Sequence, residues 1–98
     1  MELTSKQRAQ LRGMAATMDT ILHVGKDGIS DNLIKQADDA LEARELIKVS
    51  VLNNNDDDPK AIAIELERLL GAQIVAVTGK KIVLYRRSSK KDFKHIVF

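Results

Sequence analysis

Short β-branched runs alternate with capped helical stripes along this chain, and that alternation leaves few ways to fold it. Thr4-x-x-Gln7 is a capping box heading a first helix, whose apolar stripe is Leu11, Met14, Ala15 and Met18. Thr20-Ile21-Leu22-His23-Val24 is too short for a helix and stops at Gly25, which predicts a strand. Ser30, followed by Asp31 and Asn32, caps a second helix with Leu33, Ile34, Ala37, Ala40 and Leu41 on its inner side. Leu46 to Leu52 alternates as a second strand, and Asn53 to Asp57 is a polar loop. Asp58-Pro59 starts a third helix, with Asp as N-cap and Pro where its missing N–H costs nothing. Ile62, Leu66, Leu69 and Leu70 form its core side, Ile64 falls opposite, and Gly71 ends it. Gln73 to Thr78 and Ile82 to Arg86 are two strands joined through Gly79-Lys80-Lys81, a hairpin with Gly79 at positive φ.

The order α-β-α-β-α-β-β predicts a single α/β domain built on a four-stranded mixed sheet, its parallel part made by a helical crossover. The 98 residues, 44% hydrophobic and 31% charged, suffice for one core and lie outside the disordered class. No repeat or linker divides them. Residues 1–88 form the expected domain, and 89–98 read as a basic extension ending in His95-Ile96-Val97-Phe98. No apolar stretch is long enough to span a bilayer, and the first residues lack the apolar run of a secretory signal. A cytoplasmic protein without membrane association is therefore expected. The absence of cysteine removes disulfides, Cys-based zinc sites and a Cys nucleophile together.

The net charge of +2 conceals a division along the chain. Residues 1–36 hold five bases (Lys6, Arg8, Arg12, Lys26, Lys35) against four acids. Residues 37–79 hold nine acids against four bases, with Asp38, Asp39, Glu42 and the run Asp56 to Asp58 among them. Residues 80–98 carry seven bases against Asp92 alone. Clustered cations suit a polyanion because they release its counterions together, whereas a lysine-rich chain end also suits a solvated, frayed tail. Charge alone leaves both readings open.

Catalytic chemistry finds no footing. His23 sits in an apolar strand and His95 near the end, without metal-ligand spacing, and no serine has a nucleophile-elbow setting. Asp56 to Asp58 lack the spaced pattern of a calcium loop and read as a solvated loop with an N-cap. Neither a Walker loop nor a GxGxxG occurs. The expectation is a non-enzymatic protein with no cofactor, metal or small-molecule substrate. Tyr85, Phe93 and Phe98 are the only aromatics, too few for a base-stacking platform, and Tyr85 reads as an edge of the core.

Gly25-Lys26-Asp27-Gly28, between a strand and a helix N-terminus, is the informative motif. Two glycines three apart let backbone approach a ligand closely, and the following helix offers free N–H groups to an anion. Lys26 adds a positive charge at the tip. A GxxG loop can grip a nucleic-acid backbone in this way, and the same pattern also serves as a plain tight turn.

Four segments in order carry a resemblance over residues 1 to about 88: Leu3 to Arg8, Val24 to Ser30, Ala43 to Val49, and Gly79 to Arg86. Together they resemble the CRM domain (chloroplast RNA splicing and ribosome maturation) in its free-standing bacterial YhbY-like form. The resemblance implies a fold similar to the C-terminal domain of translation initiation factor three. It also implies RNA as partner, specifically ribosomal RNA in precursors of the large ribosomal subunit, bound by a monomer. It implies an RNA-binding set of Gly25, Lys26, Asp27 and Gly28, with Lys6, Arg8, Arg12 and Lys35 forming a basic surface beside the loop. Arg44 and Arg86 also match recurrent positions, either as RNA contacts or as braces. A competing class is a protein-interaction module that docks a basic ribosomal protein or assembly factor through Asp38, Asp39, Glu42 and Asp56 to Asp58.

Overall fold

A computed structural model describes residues 2–98, and in it every expected helix cap is made. Thr4 Oγ1 accepts from the Gln7 N–H at 3.1 Å while Gln7 Oε1 accepts from the Thr4 N–H at 3.0 Å, setting off α1 (Ser5–Ala15). After β1 (Leu22–Val24), Ser30 Oγ accepts from the Leu33 N–H and starts α2 (Asp31–Arg44). β2 (Leu46–Val51) follows, then α3 (Pro59–Leu70), where Asp58 accepts from the Lys60 N–H and Gly71 takes φ 61° to stop the helix. β3 (Gln73–Thr78) and β4 (Lys81–Tyr85) close the chain's regular structure, and Gly79 turns the hairpin at φ 57°.

The sheet order is β1-β2-β4-β3, with β1 and β2 parallel across the α2 crossover and the other pairs antiparallel. The fold is thus a single α/β domain of three helices and a four-stranded mixed sheet. β1 is shorter than its β-branched run, because only Leu22 to Val24 pair with Val49 to Val51. The pairing between β3 and β4 slips at Val75, so Ile74 faces Leu84 while Ala76 faces Val83.

Alternation sends side chains to two cores, one on each face of the sheet. Leu22, Val24, Ile47, Val49, Val51, Ile82 and Leu84 meet α2 and α3 on one face. Leu46, Val75, Val83 and Tyr85 meet Leu11 and Ala15 of α1 on the other. Three predicted core positions stand differently. Met14 and Leu69 are 42% and 44% exposed, because each lies at the edge of its stripe. Met18 packs on the second core from beyond the end of α1 rather than from within it.

Residues 86–98 form no helix or strand, yet they are docked. Glu45, the C-cap of α2 at φ 66°, is fully buried and accepts from the Ser88 N–H (2.7 Å) and the Ile96 N–H (2.8 Å). His95 Nδ1 lies 2.5 Å from the same carboxylate. Ile96 and Phe98 pack against the second core, and the Phe98 ring meets Tyr85 edge-on at 5.3 Å. This part of the chain is not a frayed tail. A buried carboxylate and two apolar side chains hold it at the end of the sheet where β2 begins.

Candidate nucleic-acid interface

The GxxG segment is a closed turn, because the Gly28 N–H donates to the Gly25 carbonyl at 3.0 Å. Gly28 has φ 66°, a left-handed conformation that would cost another residue about 1–2 kcal/mol. Gly25 is different. Its φ is unexceptional, and a Cβ there would meet Asn54 and Leu52 atoms at an ordinary 3.6 Å. The fold therefore requires glycine at 28 and tolerates a side chain at 25, so only at 25 does a ligand's close approach have to explain the residue.

A second hydrogen bond reaches the turn from the β2–α3 loop. Asn55, 7% exposed, donates from Nδ2 to the Gly25 carbonyl at 2.8 Å and accepts from the Asp57 N–H through Oδ1 at the same distance. A stretch that reads in sequence as solvated polar loop is thus a brace for the turn. No local pattern signals it, because the partner lies thirty residues upstream.

Beside the turn lies an open hollow of about 200 Å³, lined by Gly25 to Gly28, His23, Ser30, Asn32 and Gln36. Ser30 occupies the Leu33 N–H, which leaves those of Asp31 and Asn32 outside the helical ladder at the positive end of the α2 dipole. Lys26 and Asp27 are both exposed. The hollow therefore offers an anion oriented N–H groups, hydroxyl and amide donors and one cation, with a carboxylate close by. This is a geometry for positioning a phosphate more than for attracting one from a distance.

The structure disperses the other predicted residues. α1 packs on β3 and β2, on the face of the sheet away from α2, so Lys6, Arg8 and Arg12 do not flank the loop. Arg8 donates from Nε to the Ile74 carbonyl at 3.1 Å, near the start of β3, and Lys6 lies a further half-turn back. Arg12 is exposed one turn closer to the loop's end of the sheet. Lys35 and Arg44 are exposed on α2 without lining the hollow. Arg86 is engaged within the fold: Nη1 reaches Asp38 Oδ1 (2.7 Å) and the Leu70 carbonyl (2.8 Å), while Nη2 reaches Glu42 Oε2 and the Asp38 carbonyl (both 3.1 Å). Such a planar fork ties α2 to α3, which an ammonium cannot reproduce. Arg86→Lys is expected to cost about 1 kcal/mol, seen as a fall of roughly 4–8 °C in melting temperature, with RNA affinity changed less than twofold.

These contacts also account for much of the acidic middle. Asp38 and Glu42 hold Arg86, and Asp58 caps α3. The Ser89 hydroxyl and N–H, with Arg86, hold the Glu42 carboxyl below its ordinary value. His23 is the residue that sequence reasoning passed over: read as an edge or packing residue, it stands exposed at the rim of the hollow.

Comparison with known proteins sharpens this picture. The chain is 48% identical over 88 residues to "Probable RNA-binding protein YqeI" of Bacillus subtilis (strain 168), covering 90% of this chain and 92% of that one. It is 27% identical to the Zea mays protein "CRS2-associated factor 1, chloroplastic" over 92% of its own length but only 13% of the plant protein's. A solution structure of a Staphylococcus aureus protein, presented as a candidate RNA-binding protein, superposes with a TM-score of 0.78 at 48% identity, covering 93% of this chain and 95% of that one. The matched stretch is a free-standing domain in the bacterial proteins and a small part of the plant one. The CRS1 / YhbY (CRM) domain model matches residues 3–86, from the first buried leucine to the Arg86 brace, and the chain belongs to that family.

Proposed function

We propose that the protein binds RNA without catalysing a reaction on it, holding the sugar-phosphate backbone at Gly25–Gly28, and that its RNA is ribosomal RNA in precursors of the large subunit. The observation that carries the first part is the braced turn beside the open N–H groups of α2. A glycine that the fold does not itself demand, at the rim of a donor-lined hollow, is explained by an approaching backbone. The names of the bacterial relatives support RNA as the partner. The ribosomal part rests on the family resemblance, as does a monomer working in the cytoplasm to assist assembly of the subunit.

Phosphate contacts make affinity fall with salt at roughly 0.7 log units per log unit of salt for each phosphate on a single strand. With three or more phosphates held, Kd for a single-stranded RNA is expected to rise at least about tenfold between 50 and 200 mM salt. A flat salt profile by fluorescence anisotropy would exclude this mechanism. Crosslinking in cells with sequencing of the bound RNA tests the partner. Reads on large-subunit ribosomal RNA, with the protein sedimenting on its precursors, are expected; reads elsewhere overturn the ribosomal assignment and leave RNA binding standing. Partners retained after RNase treatment would favour the protein-docking class instead.

A further inference from the structure

A second concavity lies on the α1 face of the sheet, outside the loop. It is an open groove of about 260 Å³ with Ala16, Ala76 and Val83 among its apolar lining and Arg12, Lys48 and Lys81 around it. No carboxylate lines it, and none of the three cations is in an ion pair among the described residues. Lys81 is steadied by neutral groups only, with Nζ 3.2 Å from Ser50 Oγ and 3.5 Å from Thr20 Oγ1. Three unneutralised cations around one groove repel one another, and an anion relieves that repulsion.

Strand register links this groove to the loop. Ser50 is the register partner of both His23 and Lys81, and Lys81 is the partner of Thr78. These four residues therefore form one row across the same face of the sheet, and His23 and Lys81 are roughly 10 Å apart at ordinary strand spacing. His23 lines the hollow and Lys81 lines the groove. The hollow positions a phosphate with little net charge, since Lys26 stands beside Asp27. The groove supplies the net positive field the hollow lacks.

We infer that the groove is a second RNA subsite, which takes the neighbouring part of the same single strand: a ribose or base on the apolar floor, and its flanking phosphates at Arg12, Lys48 and Lys81. This rests on the RNA-binding reading above. The strand crosses the sheet along the His23–Ser50–Lys81 row instead of following α1 toward Lys6. The small, non-aromatic floor admits any base, so the subsite adds length and affinity without adding sequence preference.

The test uses the double variant Lys48→Gln/Lys81→Gln, which removes two charges and keeps a hydrogen-bonding group at 81 for Ser50. It is titrated beside wild type and Gly25→Asp with a labelled single-stranded RNA of about 12 nucleotides. The expected result is a Kd raised about 5- to 20-fold at low salt and a salt slope reduced by about 1.4, two phosphates' worth. If Gly25→Asp weakens binding while the double variant keeps wild-type Kd and slope, the groove is not a subsite and the loop reading survives. If wild type does not bind RNA, both fall. Polyglutamate displacing the RNA at comparable concentration would reassign the groove to an acidic protein segment. Should the double variant fail to fold, Ala16→Glu, at an exposed position, places a carboxylate in the groove and is expected to weaken binding similarly; unchanged binding overturns the inference.

Discussion

Gly25→Asp is expected to weaken RNA binding about 10- to 100-fold while leaving the melting temperature within a few degrees of wild type. A hydrogen bond to a charged group is worth about 1.5–3 kcal/mol, and that sets the range of Kd. The introduced carboxylate would stand where the backbone has to meet phosphate, adding repulsion to lost contact. The protein itself can accept the change, because a Cβ at 25 meets only ordinary neighbours. Gly28→Asp is a poorer probe: its backbone lies at φ 66°, so strain and lost binding would arrive together. Isothermal titration with paired thermal melts separates the two, and Gly25→Asp binding as tightly as wild type would remove the loop from the interface. Asn55→Ala should fall between them, loosening the turn without obstructing it.

Glu45→Ala is expected to lower stability by about 2 kcal/mol, a fall of roughly 10 °C in melting temperature for a domain of this size. Burial pushes the Glu45 carboxyl up, but His95 and the N–H groups of Ile96 and Ser88 more than compensate and hold it below its ordinary value of 4.5. A carboxylate with a depressed folded-state pKa lends stability that is fully present above the unfolded value. That stability is lost as pH falls through the folded one. Thermal melts from neutral pH downward should therefore show wild type declining below about pH 4.5 more steeply than Glu45→Ala. Trypsin should cut the variant faster after Lys90, Lys91 and Lys94, since those bonds lie in the segment the carboxylate retains. Glu45→Gly loses the same acceptor but relieves the positive φ, so it should be less damaged than Glu45→Ala by about 1 kcal/mol. Equal losses would show that backbone strain at 45 contributes little.

These two residues mark the boundary of what sequence pattern can reveal. Caps are local chemistry, so Thr4 with Gln7, Ser30, Asp58-Pro59 and Gly71 announce three helices to within a residue or two. Alternation and the glycine turn announce the strands, and the order of elements constrains the sheet. The GxxG hollow was legible because its parts are contiguous. Glu45 was not, since a glutamate after an arginine reads as a solvated helix end, and its three partners lie more than forty residues away. Asn55 was hidden for the same reason. The basic residues of α1 were visible as charges, but which face of the sheet receives them is a matter of packing. The seven C-terminal cations divide likewise: Lys80 and Lys81 stand at the loop's end of the sheet, while Arg87, Lys90, Lys91 and Lys94 follow the chain past Glu45 at the other.

The slip at Val75 has a further consequence. A strand side chain has a parity, inward or outward, that one extra residue inverts for everything after it. Val75 and Ala76 both face α1, and only for that reason does Val77 return to the larger core while Thr78 stands beside Lys81. Deleting Val75 would leave composition and charge almost untouched and would still turn Ala76 and Thr78 away from α1. Among single-residue deletions in this strand, that one acts as a spatial frameshift.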